Sequence, residues 1–224
     1  MSRVFVVGDI HGCFHTLKYL LFESCKITIN DRIIFLGDYI DRGPYIPETI
    51  ELIISLIKKG YDIIPIRGNH EQLFIDSLNN PKKLIQWFKY GGQSTLDAFF
   101  VINPNFIEDE IIEFFLHTKY YHLENDFVCV HAGLNFDLQD PFSDKTAMLY
   151  SRNSNVIPDR IGNRKLISGH TPFKIDDIRR SLDTNFIRLD GGCVYDKKVK
   201  DLGLLVALEL GEMQLYYTKN IDFK

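Results

Sequence analysis

Short apolar runs, each ended by glycine and a cluster of polar residues, divide this sequence into segments. Five of them read VFVVGDIHG (Val4–Gly12), IIFLGDYIDRG (Ile33–Gly43), IIPIRGNHE (Ile63–Glu71), FVCVHAG (Phe127–Gly133) and LISGH (Leu166–His170). Short runs rich in β-branched and aromatic residues and bounded by glycine are typical of buried strands. The sequence therefore predicts five buried strands, each followed by a turn that carries polar side chains.

Helical patterns separate the first three of these strands. The segment His15–Lys26 places leucines on one helical face, and Pro47–Lys59 begins with proline and acidic residues and ends with lysines before Gly60. These are the start and stop signals of a helix, with charges matched to its dipole. A third helix is expected to begin near Glu71. Strand and helix alternate with a period of roughly 30 residues, the length of a βαβ unit, which favours an α/β fold.

The strand signal disappears over the region 81–118, where the sequence predicts three helical pieces, LIQWFKY, STLDAFF and IEDEIIEFFLHT. This helical excursion is expected to pack against the rest of the chain, with its aromatic residues mainly in the core. Strands are predicted again at Tyr120–Leu123 and Phe127–His131. Near the C-terminus the sequence predicts three more strands, which are expected to form an antiparallel meander: Phe186–Leu189, Leu204–Leu208 and Gln214–Tyr217.

Composition and charge narrow the function classes. The chain has 224 residues, 45% of them hydrophobic, and no linker, so one domain over 1–224 is expected. A net charge of −4 argues against generic binding to nucleic acid or to anionic membranes, because both need a basic face. No signal-peptide pattern and no membrane-spanning run is present, and the cysteines form no Cys-x-x-Cys pair. A cytoplasmic protein with buried free cysteines is expected.

Polar side chains at the strand ends form the candidate site. In open α/β sheets, ligands bind beyond the carboxyl ends of the strands, so six side chains are expected to gather at one rim of one sheet. They are Asp9, His11, Asp38, Asn69, His131 and His170. Two carboxylates, an amide oxygen and three imidazoles suit Mn²⁺, Fe or Zn²⁺, and a carboxylate can bridge two ions. The set predicts two divalent metal ions, with Mn²⁺ favoured.

The motifs GDIHG, GDYIDRG, GNHE, HAG and GH, in this order, resemble those of the phosphoprotein phosphatase family of calcineurin-like metallophosphoesterases. The chain is most similar to the compact bacterial and phage serine/threonine protein phosphatases, and the resemblance extends from Val4 to about Leu215. It implies an α/β metallophosphoesterase fold with central mixed β-sheets, arranged as a β-sandwich, flanked by helices. The metal site would lie at the carboxyl ends of the strands.

The resemblance also implies a role for each motif residue. Asp9, His11 and Asp38 would hold one metal; Asp38 would bridge to a second metal, which Asn69, His131 and His170 complete. A metal-bridging hydroxide would attack phosphorus in line. His70 would protonate the leaving oxygen and Asp41 would orient its imidazole. Arg42 and Arg152 would bind the phosphate oxygens, a task that suits a bidentate guanidinium. Arg67 and Glu71 are expected to be structural.

Three functions remain open at this stage. The first is a metal-dependent hydrolase of phosphoserine and phosphothreonine in proteins. The second is a hydrolase of dinucleoside polyphosphates such as diadenosine tetraphosphate, against which the glutamate of GNHE, Glu71, gives a modest argument. The third, a binding module on an inactive phosphatase scaffold, is disfavoured because no motif residue is missing. The expected partner is thus a phosphoprotein or a small phosphoester; the physiological substrate, the serine/threonine or tyrosine preference, the native metal pair and the oligomeric state stay undetermined.

Overall fold

The computed structural model describes residues 2–195 and 199–223, and within these ranges the chain forms nine β-strands and eight α-helices. The strands are β1 (Val4–Val7), β2 (Arg32–Phe35), β3 (Asp62–Pro65), β4 (Tyr121–Glu124), β5 (Phe127–Val130), β6 (Lys165–Ser168), β7 (Phe186–Arg188), β8 (Leu204–Glu209) and β9 (Gln214–Lys219). The helices are α1 (Phe14–Tyr19), α2 (Ile46–Lys58), α3 (Asn69–Ser77), α4 (Pro81–Lys89), α5 (Gly92–Ala98), α6 (Asp109–Leu116), α7 (Lys145–Tyr150) and α8 (Ile175–Ser181). A π-helical turn over Leu20–Ser24 continues α1, so the predicted first helix is present but changes its winding midway.

The first sheet has the strand order β3-β2-β1-β8-β9. The pairs β1–β2 and β2–β3 are parallel, as the predicted βαβ units require, whereas β8 runs antiparallel to β1 and to β9. The second sheet has the order β4-β5-β6-β7, with β5, β6 and β7 mutually parallel and β4 antiparallel. Both sheets are mixed, and helices flank them, as the resemblance implies.

The predicted C-terminal meander is wrong in part. β8 and β9 form the expected antiparallel hairpin, but Phe186–Arg188 pairs parallel to β6 in the other sheet. The physical reason is the segment between β6 and β7, which contains α8 and therefore makes a crossover connection. A crossover returns the chain in the same direction, so the following strand lies parallel.

Alternating side chains of each strand serve two different cores. On β1, Val6 points toward the second sheet and packs in a cluster with Ile34 and Ile167, so the two sheets share an apolar interface. Its neighbours Phe5 and Val7 point the other way, into the core that the helices cover. This alternation follows from the two-residue period of a strand. Two buried layers hold the strand ends, and the loops that follow them, in fixed relative positions.

The helical excursion packs on the outer face of the first sheet. Trp87 and Phe115 are fully buried there, as expected for core aromatics, but Phe100 is 96% exposed. Trp87 and Phe115 each make an edge contact with Phe74 of α3, so the excursion is anchored directly beside the start of α3. All four cysteines are free and buried. No helix in the described part of the chain has the length and apolarity needed to cross a membrane.

Candidate metal centre

Four of the six predicted ligands line one cleft, and the other two, His11 and His131, lie 3.5 Å from the Asp38 carboxylate. The six come from both sheets. Asp9 and His11 follow β1, Asp38 follows β2, and Asn69 begins α3 after β3. The remaining two ligands follow strands of the second sheet, His131 after β5 and His170 after β6. The expectation of one rim of one sheet is therefore wrong. The site is formed where the carboxyl ends of the strands of two packed sheets meet, so it depends on the packing between them.

Four donor atoms on one side of the cleft lie within contact distance of each other. Asn69 Oδ1 is 3.0 Å from His131 Nε2 and 3.0 Å from His170 Nδ1, and these two nitrogens are 3.1 Å apart. His131 Nε2 also lies 3.5 Å from Asp38 Oδ1. Ligand bonds of roughly 2.0–2.2 Å place neighbouring ligand atoms roughly 3 Å apart. The spacing of these donors thus fits a metal ion between them.

The second group of donors lies on the other side of Asp38. His11 Nε2 is 3.5 Å from Asp38 Oδ2, so the two oxygens of this carboxylate face different imidazoles. Asp9 lines the same cleft, and its carboxylate accepts a hydrogen bond from the backbone N–H of His170 at 3.0 Å. Asp38 stands in the position that a bridging carboxylate requires.

Hydrogen bonds to the backbone fix the orientation of two imidazoles. His11 Nδ1 lies 2.8 Å from the carbonyl oxygen of Ile40, and His131 Nδ1 lies 2.8 Å from that of Leu36. A carbonyl oxygen accepts, so both Nδ1 atoms carry the proton and both Nε2 atoms present a lone pair to the cleft. Burial lowers the pKa of His11 and of His131, and burial together with His131 lowers the pKa of His170 to about 3. Neutral imidazoles are the form that binds metal.

Glycine allows the ligand loops to approach one another. A Cβ on Gly68 would lie 2.1 Å from Asp38 Oδ1, and one on Gly169 would lie 2.0 Å from Asp9 Oδ1. Neither separation is possible for a side chain, so the glycines of GNHE and GH are required by the ligands they contact. Several site residues also adopt a positive φ, which is costly for residues other than glycine. They are His11 (48°), Asp38 (52°), Asp41 (69°), Arg42 (72°) and His170 (67°).

His70 and Asp41 form a buried pair at the edge of the cleft. His70 Nδ1 lies 2.5 Å from Asp41 Oδ2, and both side chains are at most 1% exposed. Burial alone would lower the pKa of His70, but Asp38 and Asp41 outweigh it and raise the pKa. The other ring nitrogen, Nε2, is the atom left to face the cleft, which His70 lines.

Two residues of the helical excursion hydrogen-bond to this pair, and no sequence motif identified them as part of the site. Trp87 Nε1 donates to Asp41 Oδ2 at 2.9 Å, and Thr95 Oγ1 donates to Asp41 Oδ1 at 2.5 Å. The backbone N–H of Asp41 donates in turn to Thr95 Oγ1 at 3.1 Å. Three donors to this carboxylate, from His70, Trp87 and Thr95, fix its direction, which is what a histidine-orienting group needs. Trp87 and Thr95 lie 46 and 54 positions after Asp41, so no local motif connects them to it.

The two predicted phosphate-binding arginines differ in how they are held. Arg42 Nη1 donates to His11 Nε2 at 2.9 Å and Nη2 donates to His70 Nε2 at 2.8 Å, so its guanidinium lies across the centre of the cleft. Arg152 also lines the cleft, but it is exposed. Among the described residues, the Arg152 side chain has no hydrogen-bonding partner. Asp190, which sequence reasoning missed, lines the same cleft, and burial raises its pKa to about 7.

Glu71 and Arg67, which were expected to be structural, connect backbone segments. The Glu71 carboxylate accepts from the N–H groups of Asp38 (2.8 Å), Tyr39 (2.8 Å) and Gly68 (2.9 Å), and so ties the loop after β2 to the start of α3. Arg67 donates to the carbonyl oxygens of Phe115, Leu116 and Thr118 at the end of the excursion. Both side chains hold the site loops in place and do not face the cleft.

Comparison with known proteins shows the family to which this chain belongs. The family model described as calcineurin-like phosphoesterase matches residues 2–191. A bis(5'-nucleosyl)-tetraphosphatase PrpE [asymmetrical] of Oceanobacillus iheyensis is 27% identical over 225 residues, which cover 88% of this chain and 86% of that protein. The serine/threonine-protein phosphatase 6 catalytic subunit of Caenorhabditis elegans is 41% identical over 143 residues, but these cover 62% of this chain and 38% of the phosphatase.

Solved structures show the same fold. A protein serine/threonine phosphatase from Saccharomyces cerevisiae with similarity to human phosphatase PP5 aligns with a TM-score of 0.64 at 17% identity, over 100% of this chain and 81% of that one. A cold-active protein-tyrosine phosphatase of a psychrophilic Shewanella species aligns with a TM-score of 0.60 at 16% identity, over 98% and 78%. The α/β metallophosphoesterase fold and the resemblance to phosphoprotein phosphatases are thereby confirmed. This chain belongs to the family of calcineurin-like phosphoesterases.

Proposed function

We propose that this phosphoesterase hydrolyses phosphoserine and phosphothreonine monoesters in proteins. The observation that carries the proposal is the buried pair of His70 and Asp41, 2.5 Å apart, at the edge of the candidate metal centre. Hydrolysis of an alkyl phosphate expels an alkoxide, which is a poor leaving group and needs a proton in the transition state. Cleavage of a phosphoanhydride expels a nucleotide phosphate, which leaves without one. A general acid oriented this carefully is most useful on an alkyl ester.

The six converging side chains would hold two divalent metal ions. Asp9, His11 and Asp38 would hold the first ion, and Asp38, Asn69, His131 and His170 would hold the second. Bound there, the ions supply a water molecule that is ionised near neutral pH and positive charge that offsets the phosphate. The donor set has no thiolate and includes a carboxylate with one oxygen toward each group, which supports Mn²⁺, Fe or Zn²⁺; of these we propose Mn²⁺.

The arginines of the cleft would bind and orient the phosphate. Arg42 lies within 2.9 Å of both His11 and His70, and its planar fork can turn from these imidazoles to two phosphate oxygens. Arg152 would close on the phosphate from the exposed side. When Arg42 turns to the phosphate, His70 Nε2 no longer accepts from it and takes up a proton from solvent. His70 then donates this proton to the leaving oxygen, while Asp41 keeps the Nδ1 proton in place. The proton lost to the leaving group is replaced from solvent through the open cleft.

A second candidate function is hydrolysis of dinucleoside polyphosphates. The observation in its favour is the match to the bis(5'-nucleosyl)-tetraphosphatase PrpE, which spans 88% of this chain, whereas the match to the phosphatase 6 catalytic subunit spans 62%. Glu71 gives little discrimination between the two functions, because its carboxylate is used by three backbone N–H groups away from the substrate. Both candidate functions would use the same metal centre.

Three substrates assayed side by side test the proposal. The protein is stripped of metal, reloaded with Mn²⁺ and given a phosphothreonine peptide, a phosphotyrosine peptide or diadenosine tetraphosphate at matched concentrations. We expect the highest kcat/KM on the phosphothreonine peptide, with no turnover after chelation of the metal. A higher kcat/KM on diadenosine tetraphosphate would replace the proposal with the second candidate. A higher value on phosphotyrosine would keep a protein phosphatase but change its residue preference.

A further inference from the structure

A second cavity, of about 220 Å³, lies beside the cleft and shares the side chain of Arg152 with it. We call it the arginine groove. Its polar lining includes Ser151, Ser154 and Thr171, and its apolar floor is made by Phe173 and Phe186, with Arg188 between them. No carboxylate of the described residues lines it, whereas Asp9, Asp38 and Asp190 all line the cleft. The groove is therefore the positively charged extension of a cleft that is itself rich in acids.

Arg188 is held in place by two aromatic rings. Its guanidinium carbon lies 4.8 Å from the ring centre of Phe173 and 4.8 Å from that of Phe186. Its backbone N–H donates to Ser181 Oγ at 3.1 Å, which fixes the end of β7 against α8. Stacking on a ring uses the face of the guanidinium and leaves the N–H groups along its edge available. Arg188 is a cation whose direction is set before any ligand arrives.

Arg188 also differs from most of the other arginines, whose side chains donate to carboxylates, imidazoles or carbonyl oxygens. Arg3 pairs with Asp31, Arg32 with Asp62 and Glu124, Arg179 with Asp176, and Arg180 with Asp177. Within residues 2–195 and 199–223, no carboxylate and no carbonyl oxygen accepts a hydrogen bond from the Arg188 side chain. Arg152 shares this property, so the two arginines without partners line one continuous surface that begins at the metal centre.

We propose that the arginine groove binds a second acidic group of the substrate, on the peptide beside the phosphorylated residue. The proposal rests on the proposed phosphoprotein phosphatase activity. The ligand is an anionic side chain, either the carboxylate of Asp or Glu or the phosphate of a neighbouring phosphoresidue, because each offers oxygens to the edge of a guanidinium. The hydroxyl groups of Ser154 and Thr171 add further donors. The Arg152 side chain, which lines both cavities, would separate the scissile phosphate from this second anion.

A peptide series tests this inference directly. One phosphothreonine peptide with neutral flanking residues is compared with versions that carry a single Asp, Glu or phosphoserine at successive positions on either side. We expect one or two positions at which the anion raises kcat/KM roughly tenfold, the effect of one charge-assisted hydrogen-bonded contact. Asp, Glu and phosphoserine at those positions then show which anion the groove prefers.

The Arg188→Gln variant should reduce the acidic-to-neutral ratio of kcat/KM from about ten to about one. Arg188→Lys keeps the charge but loses the fork and should retain part of the preference, so it remains informative if the glutamine variant folds poorly. Arg180→Gln is the matched control, because it removes an arginine on α8 that is already paired with Asp177. It should keep the full preference.

Two failures are distinguishable. If phosphopeptides are hydrolysed but acidic neighbours give no advantage, or if Arg188→Gln keeps the advantage, the groove is not a subsite and the inference is overturned. If no phosphopeptide is hydrolysed while diadenosine tetraphosphate is cleaved, the proposed function itself is overturned, and the inference with it.

Discussion

The two walls of the cleft are built in opposite ways. The inner wall is lined by His70, and behind it lie Asp41, Trp87 and Thr95, all at most 1% exposed and joined by hydrogen bonds. The outer wall consists of Tyr150 and Arg152, both exposed, and leads into the arginine groove. Burial fixes the groups that would move protons, while solvent surrounds the groups that would select the substrate. The contrast indicates that the reaction and the substrate preference can be altered separately.

The largest effect is expected at Asp38, which lies between the two groups of donors. Asp38→Asn replaces one of the two carboxylate oxygens by an NH₂ group, which cannot bind a cation. We expect less than one metal ion bound at each of the two metal positions. We also expect a loss of roughly a thousandfold or more in kcat/KM, because the positive charge that stabilises the transition state is lost. Metal content and phosphate release measure the two effects. Asp62→Asn, at a half-exposed carboxylate outside the cleft, is the control.

This prediction would be wrong if Asp38→Asn kept two metal ions and near-normal turnover. In that case Asp38 would not be a metal ligand, and the remaining side chains would have to hold the two ions.

The second largest effect tests the inner wall alone. His70→Asn should lower kcat on an alkyl phosphate by roughly 10²–10⁴-fold, the usual contribution of a general acid. On an aryl phosphate, whose leaving group needs little help, the loss should be much smaller. His117→Asn, at an exposed histidine on the helical excursion, serves as the control on both substrates. Equal losses on alkyl and aryl esters would assign His70 a role in binding instead.

Much of the site could be predicted from the sequence because each ligand belongs to a local motif. In GDIHG or GNHE, the strand, the glycine and the ligand occur within a few residues. The residues that determine the geometry of the turn are therefore adjacent to the ligand in the sequence. Gly68 illustrates this, since its missing side chain is what lets Asn69 and Asp38 share a site. Short-range sterics determine such turns, and the sequence displays them directly.

The remaining features depend on contacts between distant segments. Nothing near Trp87 or Thr95 indicates that both will donate to Asp41, because the helical excursion must first fold back over the start of α3. The sheet to which Phe186–Arg188 belongs was predicted incorrectly for a similar reason. A strand pattern shows that a segment is extended, but its partner is decided by the crossover through α8 and by the apolar face available.

Arg42, which donates to His70 of the inner wall, and Arg152 of the outer wall allow the walls to be compared with the same substitution. Arg42→Gln should lower kcat/KM roughly 100-fold, because the Arg42 guanidinium is held beside His11 and His70 and is aimed before substrate binds. Arg152→Gln should cost roughly tenfold, because an exposed arginine must first be ordered by the ligand. The test is steady-state kinetics on one phosphopeptide, with circular dichroism to confirm that both variants are folded. A larger loss at Arg152 would reverse the ranking of the walls.

The smallest effect is expected at Trp87. Trp87→Phe keeps the aromatic packing on Phe74 but removes the N–H donor to Asp41, which retains its bonds to Thr95 and His70. We expect a loss of roughly three- to tenfold on an alkyl phosphate, since two of the three donors to Asp41 remain and one hydrogen bond contributes about 1 kcal/mol. Phe88→Leu, at a partly buried ring of the same helix, is the packing control. An unchanged rate in Trp87→Phe would show that Thr95 alone suffices to hold Asp41.

The position of β1 in the first sheet has a consequence for the synthesis of the chain. β1 lies between β2 and β8, so one of its two edges is paired only by residues 204–209. On the ribosome, at about 5–20 residues per second, the apolar segment Val4–Val7 therefore waits roughly 10–40 s with that edge uncovered. Uncovered apolar edges pair readily with other nascent chains. Slower growth at low temperature, or co-expression of a chaperone that shields such edges, should thus raise the soluble yield of this protein.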